Sequence, residues 1–276
     1  MARRDASEGE DDGDWDDLFD GVDEASDAGA LSRGLAFGFL AMTPLFLLYE
    51  LGAADGSRRS AAELVMTYPL RPLGVDLASV RQVLLVVLAT LSLVWCAKRH
   101  FALGPRLLRV PLEGLLGALF IGPATALLMQ VFDAAPLAAP GQSAGGVPGQ
   151  ARAAFVAGAA AWEEVLFRVG LFSLLWMLTR RVIVWCGGSG RASVIGAELV
   201  APIGSALLFA AFHLDAVLRF LGPGGEVFDL AVFSWRALAG LLLAILFRLR
   251  GPGVAAWSHA FFNVSLLLGA GPQVFL

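Results

Sequence analysis

Six polar side chains stand in three segments of the chain that are otherwise apolar, and their types could carry out a reaction. They occur in the stretches "EEVLFR", "FAAFH" and "HAFFN", and they are Glu163, Glu164, Arg168, His213, His259 and Asn263. A charged side chain at the centre of a membrane span costs about 2.5–3.5 kcal/mol on insertion scales. Residues of this kind in such segments therefore need a structural or a chemical reason.

Helical spacing separates the two adjacent glutamates. Glu164 and Arg168 are four residues apart and can meet on one helix face, where the guanidinium offsets the carboxylate. Glu163 is rotated by about 100° from Glu164 at ~3.6 residues per turn, so it faces another direction. His259 and Asn263 are also four residues apart and share a face. The pattern predicts a free carboxylate, two imidazoles and an amide on three helices.

Peptide hydrolysis suits this set of groups. A glutamate in an apolar site can act as a general base, while histidine and asparagine can hold water, stabilise an oxyanion or bind a metal. The sequence has no G-x-S-x-G nucleophile motif and no H-E-x-x-H zinc motif. Two other interpretations stay open at this point, a structural polar cluster between helices and an ion or proton pathway.

The elements that must position these residues are membrane helices. The chain is 57% apolar and 16% charged, whereas soluble domains average about 25% charged residues. The composition predicts an all-α, polytopic membrane helix bundle. Scanning for apolar runs of about 20 residues gives seven transmembrane helices, with an eighth short segment as an option, at 34–53, 80–97, 111–132, 152–178, within 199–221, 227–247 and 253–270.

The fifth of these spans has two possible frames. One runs over 192–212 and leaves His213 at the edge of the membrane. The other begins at Pro202, a favoured residue for the first turn of a helix, and runs to Leu221. We favour the second frame, which places His213 near the middle of the helix.

The distribution of charged residues along the chain predicts a disordered N-terminal tail and the orientation of the protein in the membrane. Residues 1–30 contain twelve acids and two bases, which predicts a disordered acidic N-terminal tail. The N-terminal side, with the loops at 98–110, 179–191 and 248–252, carries ten Lys and Arg near the spans against six on the other side. By the positive-inside rule we expect a cytoplasmic N-terminus. Residues 31–150 form the first group of membrane helices.

The three motifs in this order, each on its own apolar span, resemble the CPBP intramembrane proteases. This group comprises the type II CAAX prenyl endopeptidases and the bacteriocin-processing proteins also called the Abi family. The resemblance covers about residues 150–270 and implies a catalytic helical core at 151–270. It implies a membrane-embedded endopeptidase with Glu163 as the base that activates water and the Glu164–Arg168 pair in support.

The resemblance also implies roles for the remaining polar residues and for a cofactor. His213, His259 and Asn263 would position the water or the oxyanion, or bind a metal. Zn²⁺ is the candidate cofactor, with Glu163, His213 and His259 as candidate ligands, because catalytic zinc usually takes three protein ligands. Either Glu163 or Glu164 would then be a ligand and leave the other as the base. Both a metalloprotease and a metal-free, glutamate-dependent mechanism remain open.

The expected partners and location follow from the same resemblance. The substrate would be a membrane protein or peptide, lipidated substrates included, and the other partner is the lipid bilayer; no nucleic-acid partner is expected. The chain would be an integral protein of a bacterial cytoplasmic membrane. The alternative function is a non-catalytic membrane scaffold or a bacteriocin-immunity-type binding protein of the same fold.

Overall fold

The computed structural model describes residues 24–54, 59–98, 103–132, 149–220 and 225–269, and these are almost entirely helical. The α-helices are α1 Glu24–Gly52, α2 Ala61–Thr67, α3 Leu77–Lys98, α4 Gly104–Val131, α5 Gln150–Glu164, α6 Ser173–Trp185, α7 Gly190–Phe212, α8 Asp215–Leu218, α9 Leu230–Arg250 and α10 Pro252–Leu267. Within these ranges no strand forms, and Leu214 and Glu226 make an isolated β-bridge. The predicted all-α membrane bundle is confirmed.

Five helical segments are long and apolar enough to cross a membrane. They are Gly34–Gly52, Leu77–Lys98, Gly104–Val131, Gly190–Phe212 and Leu230–Arg250. The predicted span at 152–178 lies within one continuous helical run formed by α5, a π-helix at Val165–Phe172 and α6. The predicted last span corresponds to α10, which has 16 residues. The protein is therefore a polytopic integral membrane protein.

The preferred frame for the fifth span was wrong. Helix α7 begins at Gly190, where the side chain of Ser189 accepts a hydrogen bond from the backbone N–H of Ala192 at 3.2 Å. This cap fixes the start twelve residues before Pro202, which lies inside the helix because membrane helices tolerate proline. His213 is consequently the residue at the C-terminal end of α7 and does not lie at its middle.

Helix α10 lies at the centre of the bundle and contacts α1, α4, α5 and α9. Most of its residues from Pro252 to Phe262 are buried. Helices α1 and α5 cross closely as well. A methyl group at Gly158 would lie 2.4 Å from the backbone nitrogen of Tyr49, so only glycine fits there. Small residues at such crossings let membrane helices approach closely.

Helix α3 packs against α1 at the edge of the bundle. Large apolar side chains on its other faces are exposed, among them Val83, Val86 and Leu91 at 60–65%. A soluble protein rarely leaves so continuous an apolar face in water. This surface is the one expected for a helix that faces lipid.

A buried polar network joins the end of α1 to α2 and α3. The Glu63 carboxylate on α2 accepts hydrogen bonds from the Tyr49 hydroxyl and from Arg81 Nη1, both at 2.7 Å. Arg81 also binds Glu50 through Nε at 2.6 Å. Burial alone would raise the pKa of Glu63, but the hydrogen bonds from Arg59 and Tyr49 and the charge of Arg81 hold it below its ordinary value. The network fixes the short helix α2 against the two membrane helices.

The predicted acidic tail covers residues 1–30, and its residues 1–23 lie outside the described residues. From Glu24 onward the backbone belongs to α1.

Candidate functional site

Four of the six polar residues of the three motifs line one small cavity of about 100 Å³. The residues lining it are Glu163, Phe209, His213, Trp235, Arg236, Ala239, Leu243, His259, Phe262 and Asn263. Four helical segments contribute: α5, the end of α7, α9 and α10. A cavity of this size has room for water and small groups next to the Glu163 carboxylate.

His259 connects the two adjacent glutamates. Its Nδ1 lies 2.9 Å from Oε1 of Glu164, and its Nε2 lies 3.5 Å from Oε2 of Glu163. An ionised carboxylate only accepts hydrogen bonds, so Nδ1 donates its hydrogen to Glu164. In the neutral ring Nε2 is then unprotonated and faces the Glu163 side of the cavity. Glu164 thereby sets the tautomer and the orientation of the imidazole.

The two glutamates have different environments, as their helical spacing predicts. Glu164 is fully buried and lies 3.3 Å from Nε of Arg168, which is also fully buried. Glu163 retains 19% exposure of its side chain. Arg168 is not among the residues that line the cavity. The charge of Glu164 is therefore matched inside the protein, whereas Glu163 is open to the cavity.

Arg168 is held by three elements at once. Its Nη2 donates to the backbone carbonyl of Gly240 on α9 at 3.1 Å, and its guanidinium lies over the ring of Phe209 on α7 at 5.0 Å. Arg168 itself belongs to the π-helix that follows α5. Single π-helical turns inside longer helices occur frequently at functional sites. Here the π-helix carries the cation that supports Glu164.

His213 reaches the cavity from the end of α7. Its Nδ1 lies 2.9 Å from the carbonyl oxygen of Phe209. Because a carbonyl only accepts, Nδ1 carries the hydrogen, and the neutral ring keeps an unprotonated Nε2. The ring of Phe209 contacts both imidazoles, with its centroid 5.0 Å from that of His213 and 5.7 Å from that of His259. Phe209 thus packs against both histidines.

The structure brings Glu163, His213, His259 and Asn263 to one cavity and places Glu164 and Arg168 directly behind it. Sequence reasoning missed Arg236, which lines the same cavity from α9. A signal was present, because Arg236 is a charged residue inside the predicted span at 227–247, and such residues are functional candidates by default. Trp235 and Phe262 were missed because apolar and aromatic residues are common in every span.

The candidate zinc ligands do not form a metal site in this arrangement. Within the described ranges, no group of three or more His, Cys, Asp and Glu side chains converges closely enough to hold a metal ion. The residues as arranged do not fit a three-ligand zinc centre.

Comparison with known proteins identifies the part of the chain that builds this site. Residues 150–265 match the family model described as type II CAAX prenyl endopeptidase Rce1-like. This range runs from the start of α5 into α10 and contains all six residues of the three motifs. No curated protein and no solved structure shows significant similarity to the chain.

Proposed function

Because residues 150–265 belong to the type II CAAX prenyl endopeptidase family, we propose that this chain is an intramembrane endopeptidase in which Glu163 activates water. The observation that carries the proposal is the position of the Glu163 carboxylate. It faces a cavity that it shares with His213, His259 and Asn263, and its Oε2 lies 3.5 Å from Nε2 of His259. The buried cation Arg168 is paired with Glu164 and leaves Glu163 available as a base.

The chemical step needs only groups of this chain and one water molecule. Glu163 accepts a proton from the water as the water oxygen bonds to the scissile carbonyl carbon, and the carbonyl π electrons move to the carbonyl oxygen. Protonated Glu163 then donates that proton to the leaving nitrogen as the C–N bond breaks. The products are one carboxyl group and one amine, and Glu163 returns to its starting state.

The histidines are suited to hold the water. His213 and His259 each donate Nδ1–H to a fixed acceptor, the carbonyl of Phe209 and the carboxylate of Glu164. Each neutral ring therefore offers Nε2 as an acceptor for a water hydrogen. Asn263 offers two amide N–H groups from its place in the cavity wall. We assign the histidines to the nucleophile and Asn263 to the carbonyl oxygen.

The substrate is a membrane protein or peptide whose cleaved bond reaches this cavity from the bilayer. The family description names prenylated CAAX substrates, and a farnesylated CAAX peptide is the first probe to use. We propose that the chain lies in a bacterial cytoplasmic membrane with its N-terminus in the cytoplasm.

Isotope labelling tests the reaction. The full-length protein in lipid nanodiscs is given a farnesylated CAAX peptide and an unmodified apolar transmembrane peptide in H₂¹⁸O. We expect mass spectrometry to find a new peptide terminus with one ¹⁸O in its carboxyl group for at least one of them. If neither peptide is cut, or if the product contains no ¹⁸O, the protein does not hydrolyse these substrates and the proposal is wrong.

A chelator tests whether a metal takes part. Since the candidate ligands do not converge on one point, we expect 1,10-phenanthroline to leave cleavage unchanged and the purified protein to contain substoichiometric zinc. Cleavage that phenanthroline abolishes and added Zn²⁺ restores would show that substrate or metal rearranges Glu163, His213 and His259 into a zinc centre.

A further inference from the structure

Arg236 is a permanent cation in the wall of the cavity that holds Glu163 and Asn263. Its side chain is 16% exposed and pairs with Glu226, which accepts from Nε at 3.1 Å and also from Nη2. No hydrogen bond from Nη1 to any described residue is present. Both N–H groups of Nη1 are therefore uncommitted while the ion pair with Glu226 stays intact.

Glu226 is fixed in place by the segment that follows His213. Its backbone N–H donates to the carbonyl of His213, and its own carbonyl accepts from the N–H of Asp215, both at 2.9 Å. Gly225 approaches this segment so closely that a methyl group there would lie 2.5 Å from the nitrogen of Asp215. Glu226 consequently ties the guanidinium of Arg236 to the segment that follows His213.

The cavity is lined by both acceptor and donor groups. The Glu163 carboxylate accepts, as does Nε2 of a histidine whose hydrogen is on Nδ1, while Asn263, Trp235 and Arg236 can donate. A tetrahedral intermediate places a full negative charge on the former carbonyl oxygen, which needs donors fixed in advance. Among the described residues that line the cavity, Arg236 is the one permanent cation.

We propose that Arg236 is a catalytic residue whose Nη1 donates to the oxyanion, with Glu226 as its positioning residue. The proposal rests on the proposed hydrolysis and adds a residue to it. As the carbonyl π electrons move to oxygen, that oxygen receives hydrogen bonds from Arg236 and Asn263, and no proton is transferred to it. When the C–N bond breaks, an electron pair of the oxyanion re-forms the carbonyl bond, the C–N electron pair goes to the leaving nitrogen, and that nitrogen takes the proton from Glu163.

The position of Arg236 favours this role over recognition of a distant group. Arg236 lines the same small cavity of about 100 Å³ as Glu163, His259 and Asn263. A donor in the wall of this cavity lies near the groups that are proposed to act on the reacting carbonyl.

Three variants separate catalysis from structure. Arg236→Gln removes the charge, Arg236→Lys keeps it but loses the planar fork, and Glu226→Gln breaks the same ion pair but leaves the guanidinium. We expect Arg236→Gln to lower kcat about 10²–10³-fold, the range for loss of one oxyanion donor, with KM nearly unchanged. Glu226→Gln should lower kcat by less than about tenfold, and Arg236→Lys should lie between them.

A transition-state analogue gives a readout that does not depend on turnover. A farnesylated CAAX peptide with a phosphinate in place of the scissile amide presents the oxyanion permanently. We expect the wild type to bind it more tightly than the amide peptide, and Arg236→Gln to lose this preference while still binding the amide peptide. Melting temperatures of the three variants report whether each one folds.

Several results would overturn the inference. If Arg236→Gln and Glu226→Gln lose the same amount of kcat and the same amount of melting temperature, the ion pair only stabilises the segment after α7 and takes no part in catalysis. A rise in KM alone would make Arg236 an anchor for the substrate. If the wild type shows no preference for the phosphinate peptide, the oxyanion assignment is wrong. Full cleavage by Arg236→Gln beside an inactive Glu163→Gln would refute this inference and leave the proposed function standing.

Discussion

Glu163 and Glu164 are neighbours in sequence, but a turn of about 100° between them gives them different partners. Glu164 is fully buried between Arg168 and Nδ1 of His259. Glu163 shares the cavity with Nε2 of the same imidazole. Arg168 therefore holds Glu164, and Glu164 orients the His259 imidazole whose Nε2 faces the side of the cavity where the proposed reaction occurs.

The buried pair makes a prediction about stability. Removing one partner of a buried ion pair leaves an uncompensated charge and costs about 3–5 kcal/mol. We expect Arg168→Gln to lower the free energy of unfolding, measured by SDS titration in mixed micelles, by this amount. The double variant Glu164→Gln with Arg168→Gln should lose less, because neither charge remains buried alone.

Arg250→Gln is the matched control for this measurement. Arg250 pairs with Glu113, but its side chain is 56% exposed, and exposed pairs contribute about 0–1 kcal/mol. If Arg168→Gln and Arg250→Gln reduce the free energy of unfolding equally, the buried pair does not stabilise the site.

Sequence spacing predicts some of these contacts and cannot predict others. The pairing of Glu164 with Arg168 follows from their separation of four residues and is confirmed at 3.3 Å. The bond from His259 to Glu164 joins residues 95 positions apart, and no local period encodes it. The ion pair of Arg236 with Glu226 depends on how the segment after α7 folds back, which is also a tertiary feature.

At the scale of elements, the ends of the helices decide where chemistry can occur. The apolar run around α7 allows several frames, and the N-terminal cap at Ser189 selects one. The consequence is that His213 ends α7 and is followed by the β-bridge at Leu214. Similarly, the sequence predicts a helix around Glu163 but gives no sign that Val165–Phe172 is a π-helix.

The Glu63 carboxylate on α2 should make the stability of the protein depend on pH. The Glu63 carboxylate anchors α2 through Tyr49 and Arg81, and its folded pKa is lowered. Its contribution is therefore fully present above the unfolded value of about 4.3 and is lost as pH falls through the folded pKa. We expect Glu63→Gln to lower the melting temperature at pH 7 and to differ progressively less from the wild type below pH ~4.3.

Glu198→Gln serves as the control for the pH series. Its carboxylate binds Arg248 at the surface of the bundle, so its removal should shift the melting temperature little at any pH. A difference between Glu63→Gln and the wild type that stays constant from neutral to acid pH would show that the charge of Glu63 does not anchor α2.

At the scale of the whole molecule, surface ion pairs join helices near three basic loops. Arg248 Nη2 lies 2.7 Å from Glu198 on α7, and Trp176 of α6 donates to the same carboxylate at 3.4 Å. Arg250 pairs with Glu113 near the start of α4. These pairs hold the C-terminal end of α9 against α7 and α4, and we propose that the face of the bundle at this end of α9 is cytoplasmic.

The native cysteines provide a probe of this orientation. Cys186 is exposed at the end of α6, and Cys96 is buried. We expect a membrane-impermeant maleimide to label Cys186 in inverted membrane vesicles and not in right-side-out vesicles, as measured by mass shift on gels.

A cysteine on the opposite face completes the test. Leu73 is 68% exposed in the segment between α1 and α3. In a Cys186→Ser background, Leu73→Cys should be labelled in right-side-out vesicles. Labelling of Cys186 from outside the cell, with Leu73→Cys protected, would reverse the proposed orientation.

The cleavage rate of Glu163→Gln tests the central claim most directly. The substitution keeps the shape of the side chain and removes the base, so the fold and the melting temperature should persist while kcat for the cleaved peptide falls by at least about 100-fold. Glu113→Gln, the same change at a surface pair away from the cavity, should cleave like the wild type. Wild-type turnover by Glu163→Gln would contradict the assignment of Glu163 as the base.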